Sequence, residues 1–476
     1  MVNRRGLHGG WRTGALVVAA VMGAALLSAG PAVAVHGAVP GDFNGDGYRD
    51  AVLPAPGANV AGKEGAGAVV VLYGSKSGLS ASRRAIITQN TAGIPGTAEP
   101  HDGFGGATAT ADLNRDGYAD LVVSAPYEDT ARGRRDAGEV TVLWGSKKGL
   151  TSGTDLPESE AGGYYGLDVA ALSTGPGAKT EVLVAGYGGS MRFTGPFSSR
   201  GTYGAAVANR DTPSVGSVAL GDFDRDGSPD EVAVTVRLSD LSGGEVYVDP
   251  VHDGAQRKGN GLIAATGDIN GDGYADLVAG DPDEPDKAGA DGMLGGRVLV
   301  WYGSAHGIAR DGRPVQLTQN TSGVPGASEK GDGFGGALAV ADLNRDGLAD
   351  IVIGSPNEDT AKADAGQVTV IPGRRSGALG GGAYAFTQDT AHVPGASERE
   401  DHFGNTVSVG DINKDGRPEL FVSSAAEDNY TGAVWVFPGG TAGPTGKGSR
   451  MFTAPSVGLP QKDSTLLGGS GLLGVI

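Results

Sequence analysis

The stretch DLNRDGYAD, from Asp112 to Asp120, decides the fold of this chain because it returns in five further versions. These are DFNGDGYRD (42–50), DFDRDGSPD (222–230), DINGDGYAD (268–276), DLNRDGLAD (342–350) and DINKDGRPE (411–419). Each version has oxygen-bearing side chains at positions 1, 3, 5 and 9 and glycine at position 6. A hard cation such as calcium takes about six to eight oxygen ligands, which a tight turn brings together. The pattern therefore predicts six calcium-binding loops.

The ligands predicted for the loop at 112 are the side chains of Asp112, Asn114, Asp116 and Asp120 and the main-chain carbonyl of Tyr118. Glycine at position 6 permits the positive φ that such a turn requires. The same five positions in the other loops are Asp42, Asn44, Asp46, Tyr48 and Asp50; Asp222, Asp224, Asp226, Ser228 and Asp230; Asp268, Asn270, Asp272, Tyr274 and Asp276; Asp342, Asn344, Asp346, Leu348 and Asp350; and Asp411, Asn413, Asp415, Arg417 and Glu419. We expect about six bound calcium ions, one for each loop.

An EF-hand is the competing interpretation of this motif. Its loop ends in a bidentate Glu at position 12 and lies between two helices. Position 12 is apolar in every version here: Leu53, Val123, Ala233, Ala279, Ile353 and Val422. The short apolar run that follows each loop, such as Leu121–Val123, is typical of a buried strand. The motif therefore indicates calcium loops inside β-hairpins.

The N-terminus has the pattern of an export signal. Arg4, Arg5 and Arg12 form a basic start, an apolar stretch covers 14–27, and Ala32-Val33-Ala34 is a small-residue cleavage site. The apolar stretch is shorter than the roughly 18–20 residues that span a bilayer. We expect cleavage after Ala34 and a secreted protein of residues 35–476 with no stable membrane anchor. Export by the general secretory route is favoured over the twin-arginine route.

Composition excludes several classes of function. The chain has no cysteine, which excludes disulfides, zinc–thiolate sites and thiol nucleophiles. Its net charge is −18, and the six loops alone contain 19 carboxylates. The acidity is thus mainly a property of the predicted metal sites, and it argues against a nucleic-acid partner.

A longer pattern recurs around the loops. It begins with a Phe-Gly pair such as Phe104-Gly105, and the buried strand after the loop ends in a small-Pro pair such as Ala125-Pro126. An alternating strand such as 138–145 and a fourth strand such as 87–90 complete the unit. Four antiparallel strands for each repeat are typical of a propeller blade.

The spacing of the loops predicts how many blades there are. The interval between the loops at 112 and 222 is long enough for two blades, so a seventh unit is expected inside it. Tyr165-Gly166 heads that unit and Glu181–Val184 is its buried strand, but the segment 173–181 lacks the early carboxylates. We therefore predict an all-β, seven-bladed propeller of four-stranded antiparallel blades over 35–476. Its third blade, about 160–210, is predicted to be degenerate and to bind no metal.

The Phe-Gly pair, the Asp-x-Asn-x-Asp-Gly-x-x-Asp loop and the small-Pro pair resemble FG-GAP repeats, the blades of the integrin α-subunit propeller. The resemblance covers nearly all of the chain after residue 34. It implies that the metal loops lie on one face of the disc and that the opposite face binds ligands. The leg domains and membrane anchor of an integrin are not found in this sequence, so adhesion by that receptor mechanism is not expected.

Signals for catalysis are sparse. The histidines are scattered, and neither Gly-x-Ser-x-Gly nor His-Glu-x-x-His occurs. Paired acids do follow the buried strand in three units, at Glu128-Asp129, Glu358-Asp359 and Glu427-Asp428. Paired acids can serve glycoside chemistry, but their recurrence indicates solvated loops. We expect a monomeric, non-catalytic extracellular binding or adhesion module for a protein or a glycan, without catalytic residues. The alternative is a secreted hydrolase or lyase with its site at the central channel.

The two ends of the chain are expected to close the ring, because an open ring would expose unpaired strand edges. Little chain precedes Asp42 to form the first Phe-Gly strand, whereas Leu467-Gly468 resembles Phe334-Gly335. We predict that the segment of about 466–476 inserts as the missing strand beside 51–54.

Overall fold

The computed structural model describes residues 39–130, 133–157, 162–173, 179–212, 214–237, 242–249, 256–284, 291–461 and 464–471. The predicted signal peptide, 1–34, lies outside these residues, and so do residues 174–178 of the loop predicted to bind no metal. Among the described residues, none forms a helix with the length and hydropathy of a membrane span.

The strands of the described residues form seven sheets, each with four strands in chain order. Blade 1 contains β1(Val39–Gly41), β2(Asp50–Ala55), β3(Ala68–Leu72) and β4(Arg84–Ile87). Blade 2 contains β5(Thr108–Ala111), β6(Asp120–Ala125), β7(Glu139–Trp144) and β8(Ser152–Leu156). Blade 3 contains β9(Val169–Ser173), β10(Thr180–Gly186), β11(Gly189–Thr194) and β12(Ala205–Asn209). Blade 4 contains β13(Val215–Gly221), β14(Asp230–Arg237), β15(Ser242–Val248) and β16(Gln256–Gly261).

The last three blades follow the same plan. Blade 5 contains β17(Ile263–Gly267), β18(Asp276–Asp281), β19(Arg297–Trp301) and β20(Val315–Leu317). Blade 6 contains β21(Ala337–Ala341), β22(Asp350–Ser355), β23(Gln367–Ile371) and β24(Tyr384–Phe386). Blade 7 contains β25(Thr406–Gly410), β26(Glu419–Ser424), the single turn α1(Glu427–Tyr430), β27(Ala433–Phe437) and β28(Arg450–Thr453).

The first strands of the blades form the inner ring of the disc. They contact one another in the order β1, β5, β9, β13, β17, β21 and β25, and β25 returns to contact β1. All strand pairs within the sheets are antiparallel, as in the pair of β6 with β7. The prediction of a seven-bladed propeller with four-stranded antiparallel blades is confirmed.

The second strand of each blade is apolar at successive positions because both of its faces are covered by neighbouring blades. In β6, Leu121 and Val123 share a buried cluster with Val52 of blade 1. Val122, between them, shares a different buried cluster with Val169 of blade 3. Side chains alternate between the two faces of a strand, so an unbroken apolar run fills two interfaces at once.

The Phe-Gly pair, or Tyr-Gly in blade 3, joins blades 2, 3, 6 and 7 to the preceding blade by a close backbone contact. The N–H of Phe104 donates to the carbonyl of Ala66 at 3.0 Å, and its ring is buried. A Cβ on Gly67 would lie 2.3 Å from the Phe104 nitrogen, so only glycine fits there. Tyr165 with Gly138, Phe334 with Gly296 and Phe403 with Gly366 repeat the contact.

The C-terminal segment closes the ring in a different way from the one predicted. The strand beside 51–54, which we expected from the C-terminal segment, is β1 of the N-terminal end, in which Pro40 pairs with Ala51. The C-terminal segment instead supplies the Phe-Gly contact of blade 1, because the N–H of Leu467 donates to Thr431 at 3.0 Å and the N–H of Gly468 to Pro54 at 2.7 Å. The prediction of a C-terminal strand is therefore corrected to a Leu-Gly clasp between blades 7 and 1. Residues 472–476 lie outside the described part of the chain.

Candidate metal loops and the face opposite them

Each of the six acidic loops joins the first strand of a blade to its second strand. The loop at 112, for example, lies between β5 and β6. Because every blade has the same strand order, all six loops lie on one face of the disc. The opposite face is formed by the connections between the second and third strands and by those between blades. The glycine at position 6 has positive φ in each loop, as at Gly117 with φ 91°.

Backbone N–H groups orient the side-chain oxygens at positions 1, 3 and 5 of each loop. In the loop at 112, Gly117 donates to Asp112 at 3.0 Å and Asp116 donates to Asn114 at 2.9 Å. Tyr118 in turn donates to the carboxylate of Asp116 at 3.1 Å. The bond from position 6 to position 1 recurs in the other five loops at 2.8 to 3.1 Å. The sequence repeat is thus a repeat of geometry.

The carboxylate at position 9 lies deeper than the others and anchors the loop to the sheet. Asp120 is fully buried and accepts from Leu113 at 2.9 Å and from Gly145 at 2.9 Å. Burial raises the pKa of Asp120 to about 7, although both hydrogen bonds lower it. Asp50, Asp276 and Asp350 make the same pair of bonds. Position 9 therefore ties the loop to the end of the third strand, a role that the sequence did not reveal.

The loop at 222 brings three carboxylates together. Oxygens of Asp222, Asp224 and Asp226 all lie within 4.8 Å of one another. Among the described residues, this is the one loop in which three acidic side chains lie this close together. The reason is its sequence, since position 3 is Asp here and Asn in the other five loops.

The first carboxylate of three loops has an oxygen that fits a cation. The Oδ1 atoms of Asp42, Asp222 and Asp411 are buried and have no hydrogen-bond partner in the structure. A buried carboxylate oxygen without a partner is costly, and a bound cation would satisfy it. The predicted metal-ligand atoms in these loops are all oxygens, which suit calcium and magnesium. The residues present therefore fit a divalent cation, while the full ligand set of each loop stays a prediction.

Basic residues at position 4 link neighbouring loops, and sequence reasoning missed them. The ammonium of Lys414 lies so close to the loop of blade 1 that a Cβ on Gly47 would be 2.7 Å from it. The guanidinium of Arg345 approaches Gly416 of the next blade in the same way. The available signal was a Lys or Arg at position 4 of four loops: Arg115, Arg225, Arg345 and Lys414. Positive charge thus lies between adjacent acidic loops.

The paired acids lie on the opposite face, at the junctions between blades. Gln89, after the fourth strand of blade 1, donates to Glu128 of blade 2 at 2.7 Å. Gln388 of blade 6 donates to Glu427 of blade 7 at 2.7 Å. Gln319 and Glu358 form the equivalent bond between blades 5 and 6. The interpretation of these pairs as solvated loops is corrected, because the first acid of each pair is half-buried and bonded across a junction.

Comparison with known proteins identifies the repeat. The FG-GAP repeat model matches residues 34–72, 104–143, 260–293, 334–371 and 403–437. The chain is 31% identical over 213 residues to integrin alpha pat-2 of Caenorhabditis briggsae, covering 42% of this chain and 15% of that protein. It is 30% identical over 167 residues to phosphatidylinositol-glycan-specific phospholipase D of Mus musculus, covering 34% of this chain and 18% of that protein. The matches thus span less than a fifth of these relatives.

A similar solved structure is that of the exotype rhamnogalacturonan lyase YesX. It is 14% identical, has a TM-score of 0.38 and covers 89% of this chain and 76% of the lyase. The prediction that the chain is not an enzyme is wrong, because phosphatidylinositol-glycan-specific phospholipase D is among its relatives at 30% identity.

Proposed function

Because the chain carries FG-GAP repeats in an integrin α-like propeller, we propose that it is a secreted, calcium-binding monomer that recognises an extracellular protein or glycan. The observation that carries this proposal is the division of the disc into two faces. Six acidic loops of one geometry occupy one face, which leaves the connections of the opposite face to differ among blades. Binding surfaces are commonly built from such variable loops on a rigid scaffold.

The predicted role of calcium is structural. A bound calcium ion would supply positive charge among the carboxylates at positions 1 and 5 and the side-chain oxygen at position 3, which the chain orients through its own N–H donors. Binding to the folded state alone stabilises that state by mass action. The ring then holds the opposite face in a fixed shape.

An array of glycans and extracellular proteins, probed with the purified protein in calcium and again in chelator, tests the proposal. We expect at least one ligand on the array to bind the protein in calcium and to lose this binding in chelator. Binding that persists after all calcium has been removed would contradict the calcium-dependent part. An array without any ligand would contradict the binding function.

A hydrolytic activity is the second candidate, favoured by the relationship to a phospholipase D. It is tested by incubating the purified protein with phosphatidylinositol-glycan and polysaccharide substrates and following the products by mass spectrometry. Turnover would establish the activity, and unchanged substrates would remove this candidate.

A further inference from the structure

The junction between blades 4 and 5 differs from those that carry the Gln–Glu bonds. At those junctions the fourth strand is followed by a long connection, 88–103, 318–333 or 387–402, before the Phe-Gly pair or its equivalent. The first of these lies over the outer strand of the next blade, since Gly153 donates to Gly93 at 2.9 Å. Between blades 4 and 5 the connection is one residue, Leu262. The N–H of Leu262 donates to the carbonyl of Gly280 at 2.7 Å. At the junction of blades 1 and 2, the N–H of Gly105 donates to the carbonyl of Ser124 in the same way, at 2.8 Å.

An open cleft lies on the outer side of this junction, where no long connection follows the fourth strand of blade 4. Two cavities of about 540 Å³ and about 350 Å³ meet there and share Lys258, Gly259 and Asp291. Ligand sites in proteins commonly have volumes of about 300–1,000 Å³. The cleft runs from the second strand of blade 4 to the fourth strand of blade 5. It lies toward the face opposite the metal loops, because Thr235 and Arg237 are at the end of β14 remote from its acidic loop.

The cleft is basic in a chain whose net charge is −18. Its lining includes five cationic side chains, Arg237, Arg257, Lys258, Arg297 and Arg313. Among the described residues of the lining, Glu245 and Asp291 are acidic. Cationic side chains thus outnumber acidic ones in this lining, and an anion is attracted to it more than to the surrounding acidic surface.

Two of the cations are held in place by the protein. Arg297 is buried, pairs with the buried Asp281 at 2.8 Å and with Asp291 at 3.1 Å, and donates to Gln316 at 3.2 Å on the neighbouring strand. Arg257 is buried and donates to the carbonyl of Ile308 at 3.3 Å. A site whose charged groups are fixed before binding loses less entropy when the ligand arrives.

The exposed cations complete the cleft. Lys258 lies at its centre, with Asp311 at 3.8 Å and a half-exposed side chain, and Arg313 is exposed at its blade 5 end. Thr235, Asn260 and Gln316 add a hydroxyl and two amides to the lining. Apolar and aromatic anchors, which protein partners favour, are sparse among the lining residues. Hydroxyl and amide partners beside cations are what a sugar with acidic substituents requires.

We propose that this cleft binds an acidic oligosaccharide, with its carboxylate or sulfate groups on the arginine and lysine side chains and its hydroxyls on the amides. This inference rests on the proposed binding function and narrows its ligand to one chemical class.

The test is a calorimetric titration of the purified protein, in calcium, with three oligosaccharides of equal length. One is an oligouronate, one is sulfated and one is neutral, so the first two distinguish carboxylate from sulfate. We expect an acidic oligosaccharide to bind and the neutral one to fail. The double variant Lys258→Glu/Arg313→Glu should weaken binding by at least about tenfold, the equivalent of about 1.4 kcal/mol. Both side chains are exposed, so the melting temperature should stay that of the wild type.

The matched control is Lys147→Glu/Lys148→Glu, which makes the same change of charge at exposed positions of blade 2. The control should bind like the wild type. An equal loss of affinity in both double variants would show that the effect comes from net charge alone, and it would overturn the proposal. Equal binding of a poly-glutamate peptide, or no binding of either acidic sugar, would also overturn it. A ligand found on the array that binds the Lys258/Arg313 variant unchanged would refute the cleft and leave the proposed function standing.

Discussion

Leu467→Ala is expected to open the ring, because this side chain closes the contact between the two ends of the chain. Leu467 is fully buried in a cluster with Leu53 of blade 1 and Val434 of blade 7. Its backbone bond to Thr431 and that of Gly468 to Pro54 remain available in the variant. The loss is therefore that of a buried leucine side chain, about 2–5 kcal/mol of unfolding free energy.

The assay is urea denaturation in saturating calcium, combined with hydrogen exchange. Leu150→Ala is the control, because Leu150 is also buried between two blades, but these are joined by continuous chain. Both variants should lose stability, whereas only Leu467→Ala should speed exchange in β1, β2 and β27 ahead of the other strands. A loss below about 1 kcal/mol, or exchange that rises evenly around the ring, would refute the clasp.

Two further predictions concern the junctions between blades. Gly67→Ala should destabilise the protein more than Gly331→Ala, because both glycines have positive φ but only a Cβ at Gly67 meets the Phe104 backbone; equal melting temperatures would contradict this. Burial raises the pKa of Glu128, Glu358 and Glu427 to about 7. Their contribution to stability is thus present at acidic pH and lost as pH rises from about 4.5 to about 7. The triple variant with Gln at these positions should lose less stability than the wild type between pH 5 and pH 8 in urea denaturation, and an unchanged slope would exclude the effect.

The architecture could be predicted because short local sequence patterns determine it and these patterns are repeated. Strand, acidic loop and Phe-Gly pair each occur within one short stretch, and their spacing counts the blades, including blade 3 without its loop motif. Ring closure was harder, because β1 is only three residues long and its partner strand β2 also accepts a bond, at Pro54, from Gly468, which is far away in sequence. The pattern at Leu467-Gly468 was recognised, but a Phe-Gly contact and a strand were not distinguished by it.

The rest depends on contacts between blades, which no single stretch contains. The bond of Gln89 to Glu128 joins residues from two blades, so the paired acids were interpreted as solvent-exposed. The approach of Lys414 to Gly47 exists only after the ring has closed. The basic cleft is also invisible in sequence, because its lining residues come from strands and connections of both blade 4 and blade 5. Enzymatic relatives were missed for another reason, since the repeat itself carries no catalytic motif.

The number of calcium ions bound by the purified protein tests the central claim most directly. It is measured by metal analysis after dialysis against buffered calcium, with calorimetric titration of the metal-free protein. We expect about six ions, one for each acidic loop, and a markedly lower melting temperature in chelator. A content of two ions or fewer would contradict the assignment of these loops as metal sites.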